Sequence, residues 1–194
     1  MPALPALREP LSDGVVSLRE WREEDRDALV EMANDGAIQQ WTRVPSPYKP
    51  EDAEHWFALT RTTRAAGHQA AFAVTAAENG GNLLGSIDLR VNPADPAIGE
   101  LGYMVGPQAR GRGVATRAVE LITAWAFDEL SIQRVEILVD PRNEPSLRVA
   151  ESAGYEREGL LRAYRPSRGG GRLDLALYAR LRRPEAGASR ATSG

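Results

Sequence analysis

Six residues near the middle of the chain, Gln108-Ala109-Arg110-Gly111-Arg112-Gly113, set two glycines and two arginines directly ahead of an apolar-periodic run. A helix start leaves backbone N–H groups unpaired and carries partial positive charge, so a loop of this kind can hold a phosphate or pyrophosphate. Gly111 and Gly113 remove side chains that would keep an anion off that backbone, and Arg110 and Arg112 add charge beside it. The same spacing also serves a plain strand-to-helix turn, and the loop alone does not separate the two readings. Two other phosphate loops do not fit. The Walker pattern needs Gly-Lys-Ser/Thr, and neither residue follows Gly113. The dinucleotide fingerprint needs three spaced glycines after the first strand of a βαβ unit, whereas this loop follows antiparallel-looking strands in mid-chain. With no cysteine and only His55 and His68, nucleophilic thiols, disulfides and most histidine-based metal sites are excluded, and no metal is expected.

The elements that must position the loop follow from the apolar pattern. Val15-Val16-Ser17-Leu18-Arg19 alternates as a strand does, and Arg22 to Asn34 places Leu29, Met32 and Ala33 at helical spacing behind Glu23-Glu24-Asp25. Trp41 to Pro50 contains three prolines and reads as a loop. Pro50-Glu51-Asp52 opens a second helix, with Ala53, Trp56, Phe57 and Thr60 as its inner stripe and Gly67 as its stop. The period then becomes two. Ala71 to Thr75, Leu83 to Val91 and Ile98 to Val105 read as strands, the first two joined by a turn at Asn79-Gly80-Gly81. Gly113 to Leu130 is a long helix, and Ile132 to Val139 is an apolar strand suited to a sheet covered on both faces. Asn143-Glu144-Pro145 caps a further helix ending at Gly154, and Tyr155 to Tyr164 and Leu173 to Leu181 flank a turn at Arg168-Gly169-Gly170-Gly171. The order βαα-βββ-α-β-α-ββ predicts a single α/β domain with a mixed sheet over residues 14–182. An arm (1–13) precedes it, and a Gly-, Ala-, Ser- and Thr-rich tail (183–194) is expected to be disordered.

The bulk properties agree. At 194 residues with 42% hydrophobic content, the chain can bury one sizeable core. A formal net charge of -3 supplies no global field for nucleic acid or anionic lipid, which argues against both as partners. No stretch approaches membrane-spanning length, and residues 1–13 lack an apolar run behind a positive start; a cytoplasmic protein without a signal peptide is expected.

The loop resembles the Gln/Arg-x-x-Gly-x-Gly/Ala signature of the GNAT acetyltransferase superfamily. Downstream, Asn143-x-x-Ser146, Glu151-Ser152-Ala153-Gly154-Tyr155 and Glu158-Gly159 are similar to that superfamily's Asn-x-x-Ser…Glu-x-x-Gly-Phe/Tyr…Glu-Gly block. Leu18 to Asp25 and Pro47-Tyr48-x-x-Glu51-Asp52-Ala53-Glu54-x-Trp56 resemble the ribosomal-protein-alanine acetyltransferase branch. The resemblance implies a mostly antiparallel mixed sheet flanked by about four helices, its fourth and fifth strands splayed so that a pantetheine arm pairs with backbone between them. It implies acetyl-CoA as cosubstrate and direct transfer, through a ternary complex, to a primary amine: a protein N-terminus, an antibiotic or another small amine. Tyr103, Met104 and Val105 would meet the pantetheine, Arg110, Gly111, Arg112, Gly113, Val114 and Ala115 the pyrophosphate, and Asn143 the arm as it enters the cleft. A larger acyl or aminoacyl group, from succinyl-CoA or a charged tRNA, and a CoA-binding sensor without turnover remain alternatives. A homodimer is compatible with the resemblance.

Amide formation from a thioester needs a base for the amine, donors for the developing oxyanion and an acid for the leaving thiolate. Glu100, on one face of its strand with Gly102 and Met104, is the candidate base, and a carboxylate facing the cleft could have a raised pKa. Asp88 and Glu136 are the other strand acids near the cleft, and Asp88 could instead bind the incoming ammonium. Many superfamily members carry a tyrosine acid where this chain has Ala150. Ser146 is the substitute expected here, reaching the sulfur from a helix start, with Tyr103 and Tyr164 as outside candidates; as a bare residue it is equally a helix cap. Trp41, Tyr48, His55 and Trp56 are expected to cluster on the acceptor side, although Trp56 in particular reads as a core anchor beneath a long loop and His55 as a surface histidine on its helix; Trp41 joins Asp88 and Glu100 as acceptor-binding residues.

Overall fold

The computed structural model describes residues 1–78 and 81–183. The turn residues Asn79 and Gly80, and 184–194 of the expected tail, lie outside the described residues.

Among the described residues eight strands form one sheet: β1 (Leu11–Ser12), β2 (Val16–Arg19), β3 (Gln69–Ala76), β4 (Leu83–Val91), β5 (Ile98–Val105), β6 (Arg134–Val139), β7 (Glu156–Pro166) and β8 (Arg172–Leu181). Five α-helices accompany them among the described residues: α1 (Arg26–Ala33), α2 (Gly36–Trp41), α3 (Pro50–Ala65), α4 (Val114–Glu129) and α5 (Glu144–Ser152). The spatial order is β1-β2-β3-β4-β5-β6-β8-β7, antiparallel at every step except β5–β6. Alternation divides the strand residues between two cores. Ala70, Phe72 and Val74 of β3 and Ile87, Leu89 and Val91 of β4 join Val119, Ile122 and Trp125 of α4. Phe72 meets Trp125 edge to face at 5.3 Å. On the other face Ala73 and Leu83 lie under Leu29, Met32, Ile38, Tyr48 and Phe57 from the α1–α3 side. Leu84 is the extra residue of a bulge, because Val74 pairs with Gly85 while Thr75 pairs with Leu83.

Two elements escape the sequence pattern. β1 has only two residues, Leu11 opposite Leu18 and Ser12 opposite Ser17, too few to show a period. α2 has six residues with Ile38 as its buried one, and its only local signal is Asp35, whose carboxylate caps Ala37 N–H and Ile38 N–H. The helix expected from Arg22 begins instead as a 3-10 turn at Glu23–Asp25. There the buried Asp25 carboxylate accepts Arg22 N–H at 2.9 Å and both Arg19 guanidinium nitrogens at 2.7 Å, tying β2 to the entry of α1.

Most important for function is where the sheet opens. β5 and β6 pair from Ile98–Arg134 to Leu101–Ile137 and no further. Beyond that point Gly102 to Val105 stay paired with β4, while Leu138 and Val139 pair with β8. One backbone edge of β5 is thus left without a strand neighbour. With β1 counted, these are the fifth and sixth strands, the same two segments expected to splay.

Candidate functional site

At the wide end of the opening, β5 runs through Gly106 and a 3-10 turn (Pro107–Ala109) into α4. Gly111 and Gly113 have φ of +71° and +74°, the left-handed region that side chains avoid. A Cβ at either would meet nothing within 4 Å, so backbone conformation, not crowding, demands glycine. No side chain caps α4, which leaves its first N–H groups turned toward an exposed loop. Arg110 is not free to join them. Its guanidinium bonds the Asp35 carboxylate and its Nε donates to the Val105 carbonyl at 3.2 Å. Arg110 in turn holds the Asp35 carboxyl below its ordinary range. Arg112 is exposed and makes no ion pair with a described residue.

At the narrow end, alternation along β5 sends Glu100, Gly102 and Met104 to the α1–α3 face and Tyr103 and Val105 to the α4 face. The first face carries a chain of charges. Asp88 Oδ2 accepts Gln69 Nε2 at 3.1 Å and lies 3.1 Å from Arg90 Nε. Glu100 Oε1 lies 3.1 Å from Arg90 Nη2 and 3.2 Å from Arg165 Nη2. Desolvation pushes the Asp88 carboxyl up, against the pull of Arg90 and Gln69. Gly102 makes room for this cluster: a Cβ there would come within 2.7 Å of Arg90 Nη2 and 2.9 Å of Asp88 Oδ1. Asp88 Oδ1 therefore lies over the first β5 residue past the last β6 pair, at the apex of the opening.

The opposite face of β5 carries hydroxyls. Tyr103 OH is 2.8 Å from Ser146 Oγ and donates to the Ser146 carbonyl at 3.2 Å, joining β5 to the start of α5 across the gap. Burial raises the Tyr103 phenol to about 12 although Ser146 pulls the other way, so it keeps its proton at neutral pH. Asn143 caps α5, its side chain accepting Ser146 N–H at 3.3 Å. Val114 is buried and Ala115 half-buried at the α4 entrance.

The expected aromatic cluster does not form. Trp56 packs on Trp21 at 5.0 Å and on Phe57 at 5.5 Å, Tyr48 is buried in the second core, and His55 is exposed on α3. Apolar burial has drawn Trp56 and Tyr48 inward. Trp41 ends α2 half-buried, with no ring contact to the other three among the described residues. Glu136 is taken up by Arg134 at 2.6 Å.

Gln69, Arg90 and Arg165 were not foreseen. Arg165 reaches Glu100 from the edge strand because the β7–β8 hairpin folds over this face, and Arg168 near its tip donates to the Thr42 and Val44 carbonyls. β7 bulges on the way: residues 162–164 face only Asp174, Ala163 has φ of +49°, and its N–H donates to Asp174 Oδ1 at 2.7 Å. The sole sequence signal was the arginine-rich run from Arg157 to Arg172, which by itself reads as a solvated hairpin.

Known proteins share this fold. Residues 16–156 match the acetyltransferase (GNAT) domain family. An uncharacterised N-acetyltransferase, p20, of Bacillus licheniformis is 25% identical over 172 residues, spanning 89% of this chain and 96% of that protein. Among solved structures, Mycobacterium smegmatis RimJ in complex with CoA-disulfide superposes with a TM-score of 0.78 at 25% identity, covering 89% of this chain and 86% of that one. The microcin C7 self-immunity acetyltransferase MccE, in complex with acetyl-CoA and AMP, gives a TM-score of 0.77 at 16% identity over 88% and 98% of the two chains, a likeness of fold alone. With the match running from β2 through α5, the chain belongs to the GNAT acetyltransferase family, a family of acyltransferases.

Proposed function

We propose that this protein transfers an acetyl group from acetyl-CoA to the nitrogen of a primary amine, directly and within a ternary complex. The observation that carries the reading is the unpaired β5 edge from Gly102 to Val105, with an anion-receptive helix start at one end and the half-buried Asp88 carboxylate at the other. The residues fit coenzyme A. Free peptide groups along the β5 edge suit an extended amide-bearing arm, and the Gly113–Ala115 backbone with Arg112 suits its pyrophosphate. When bound, the cosubstrate supplies an activated acyl thioester.

The chain's own groups divide the remaining work by face. Asp88 Oδ1, over Gly102, takes the proton from the amine; its raised carboxyl gives it a basicity that a solvated aspartate lacks. Glu100, the base expected from its place on β5, has two arginines on its Oε1, which suits it to hold the cluster and the incoming ammonium through Oε2. On the other face Ser146 Oγ donates a proton to the leaving thiolate, Tyr103 OH, 2.8 Å from it, returns one to the Ser146 oxygen, and solvent reprotonates the phenol before the next turnover. The Val105 backbone N–H, on the edge of β5 turned away from β4, offers the oxyanion its donor.

The test is CoA release measured over a panel of primary amines, with acetyl-CoA and succinyl-CoA as donors. Acetyl-CoA turnover that needs an amine supports the reading. CoA binding by calorimetry with no amine-dependent release would instead mark a sensor, and a preference for succinyl-CoA would move the donor to the larger acyl group.

A further inference from the structure

The charges over the acceptor face do not balance. Arg90 spans both carboxylates, and Arg165 adds a second guanidinium to Glu100 Oε1. Arg43 then comes within electrostatic reach of this group from the loop after α2, and no ion pair or hydrogen bond to it is found among the described residues. Its side chain is exposed at the rim, yet desolvation lowers its pKa, repulsion from Arg165 and Arg90 lowers it further, and Glu100 opposes them. Three guanidiniums therefore face two carboxylates in a protein whose overall charge is -3, so the local surplus is not a reflection of composition.

The surplus is held in place. Arg168 grips the carbonyls of Thr42 and Val44, the residues on either side of Arg43. Arg165 leaves β7 directly after the bulge that holds Ala163 at positive φ. Strain of this kind persists where surrounding contacts over-determine it, and it is common beside binding sites.

We infer that Arg43 and Arg165 form a subsite for an anionic group on the acceptor, so that the preferred substrate is a primary amine with a carboxylate or phosphate a few bonds from its nitrogen. This inference rests on the amine-acceptor reading of the same cleft. Guanidiniums recognise both anions by paired, charge-assisted hydrogen bonds, and an anion there relieves the repulsion among the three arginines. The ammonium end turns to Asp88 and Glu100, which orients the amine toward the apex of the opening.

The experiment titrates the CoA-loaded full chain by calorimetry with two matched pairs: 2-aminoethyl phosphate against 2-aminoethanol, and β-alanine against propylamine. The kcat/KM of each with acetyl-CoA is then measured. The anionic member of at least one pair is expected to bind and react roughly ten- to a hundred-fold better, the worth of a charge-assisted bond. The pair showing the larger ratio tells phosphate from carboxylate. Arg43→Ala should bring that ratio close to one, and Arg43→Lys should keep part of it. Equal binding within both pairs, or a ratio that Arg43→Ala leaves unchanged, overturns the subsite. Preferential binding without CoA release upholds the subsite and overturns acetyl transfer, so the two claims fail separately.

Discussion

Around residues 106–115 the proposed donor site is built from backbone, two left-handed glycines and an uncapped helix start. On β4, β5 and β7 the proposed acceptor site is built from side chains: Asp88, Arg90, Glu100 and Arg165 in a connected line of ion pairs. The first region is one continuous stretch whose shape is set by local φ and ψ. The second joins residues up to 77 positions apart, Asp88 to Arg165, and exists only once the sheet and the β7–β8 hairpin are folded. A backbone site recognises what all acyl-CoA donors share, whereas a side-chain site can be re-specified one residue at a time. Donor and acceptor selectivity should accordingly answer to different kinds of mutation.

The sharpest test of that division lies at the apex. Asp88→Asn should lower kcat/KM by roughly a hundred- to ten-thousand-fold, the usual worth of a general base, while the Kd for CoA stays within about threefold. Glu100→Gln should cost less and act mainly on acceptor KM. Because burial raises Asp88 above 3.8, the acid limb of the wild-type kcat/KM profile should lie above the ordinary aspartate range and vanish in Asp88→Asn. The stability sign is set by burial, which outweighs the pull of Arg90 on this carboxylate. Protonation favours the folded state, so this contribution is full below about pH 3.8 and is lost as pH rises through the folded value. If Glu100→Gln proves the more damaging change and takes the acid limb with it, the base is Glu100 and Asp88 is its support.

Across the gap, the hydroxyl pair sharpens the comparison from its other side. Ser146→Ala should lower kcat by roughly ten- to a hundred-fold, within the lower range of acid–base catalysis. Tyr103→Phe should cost less, because Ser146 keeps its own proton for each transfer and loses only the resupply. The double variant should be no worse than Ser146→Ala alone, since the two act in series. Fully additive losses in kcat would mean that each hydroxyl works independently, and the relay would be abandoned.

Legibility followed the same divide. The loop from Gln108 to Gly113 and the cap at Asn143 announce themselves because glycine and asparagine do there what their own chemistry dictates, turning left-handed and capping. Asp88 and Glu100 were visible as acids on strands. Their partners were not, since nothing near Arg165 or Gln69 in the sequence points to a carboxylate on a distant strand. Ala163 is the extreme case: an alanine at φ of +49° carries no local sign of it, and tertiary contacts impose it. Among the aromatic residues the core reading of Trp56 and the surface reading of His55 hold, and the ligand wall does not. Trp56 and Tyr48 suited a ligand wall, but packing against Trp21, Phe57 and the second core offered more apolar burial.

On the backbone side the effects should be smaller and should fall on the donor alone. Gly113→Ala meets no steric obstacle, but an L-residue at φ of +74° costs about 1–2 kcal/mol. The chain can relieve that strain only by rotating the peptide that enters α4. The Kd for CoA should then rise about ten-fold, with acceptor KM unchanged at saturating acetyl-CoA. An unchanged Kd would leave the loop as a turn with no part in anion binding.

The smallest effect is expected where the two regions touch. Arg110 sits within the proposed donor loop, yet its guanidinium is paired with Asp35, the cap of α2, which leads into the loop bearing Arg43. The pair is partly exposed, with 39% and 21% of the two side chains accessible, so solvent screening limits it to about 1 kcal/mol or less. Arg110→Ala should therefore raise the Kd for CoA by no more than about threefold and lower the melting temperature slightly. Arg110 lowers the Asp35 carboxyl, so this loss of stability should be full above about pH 3.8 and should fade as pH drops through the folded value. Arg112→Ala, which removes a guanidinium with no ion-pair partner among the described residues, should raise the Kd more than Arg110→Ala does. If the order is reversed, Arg110 leaves Asp35 when the donor binds. Occupancy of the donor loop would then reach α2 and the acceptor rim, and the two regions would be coupled through this one guanidinium.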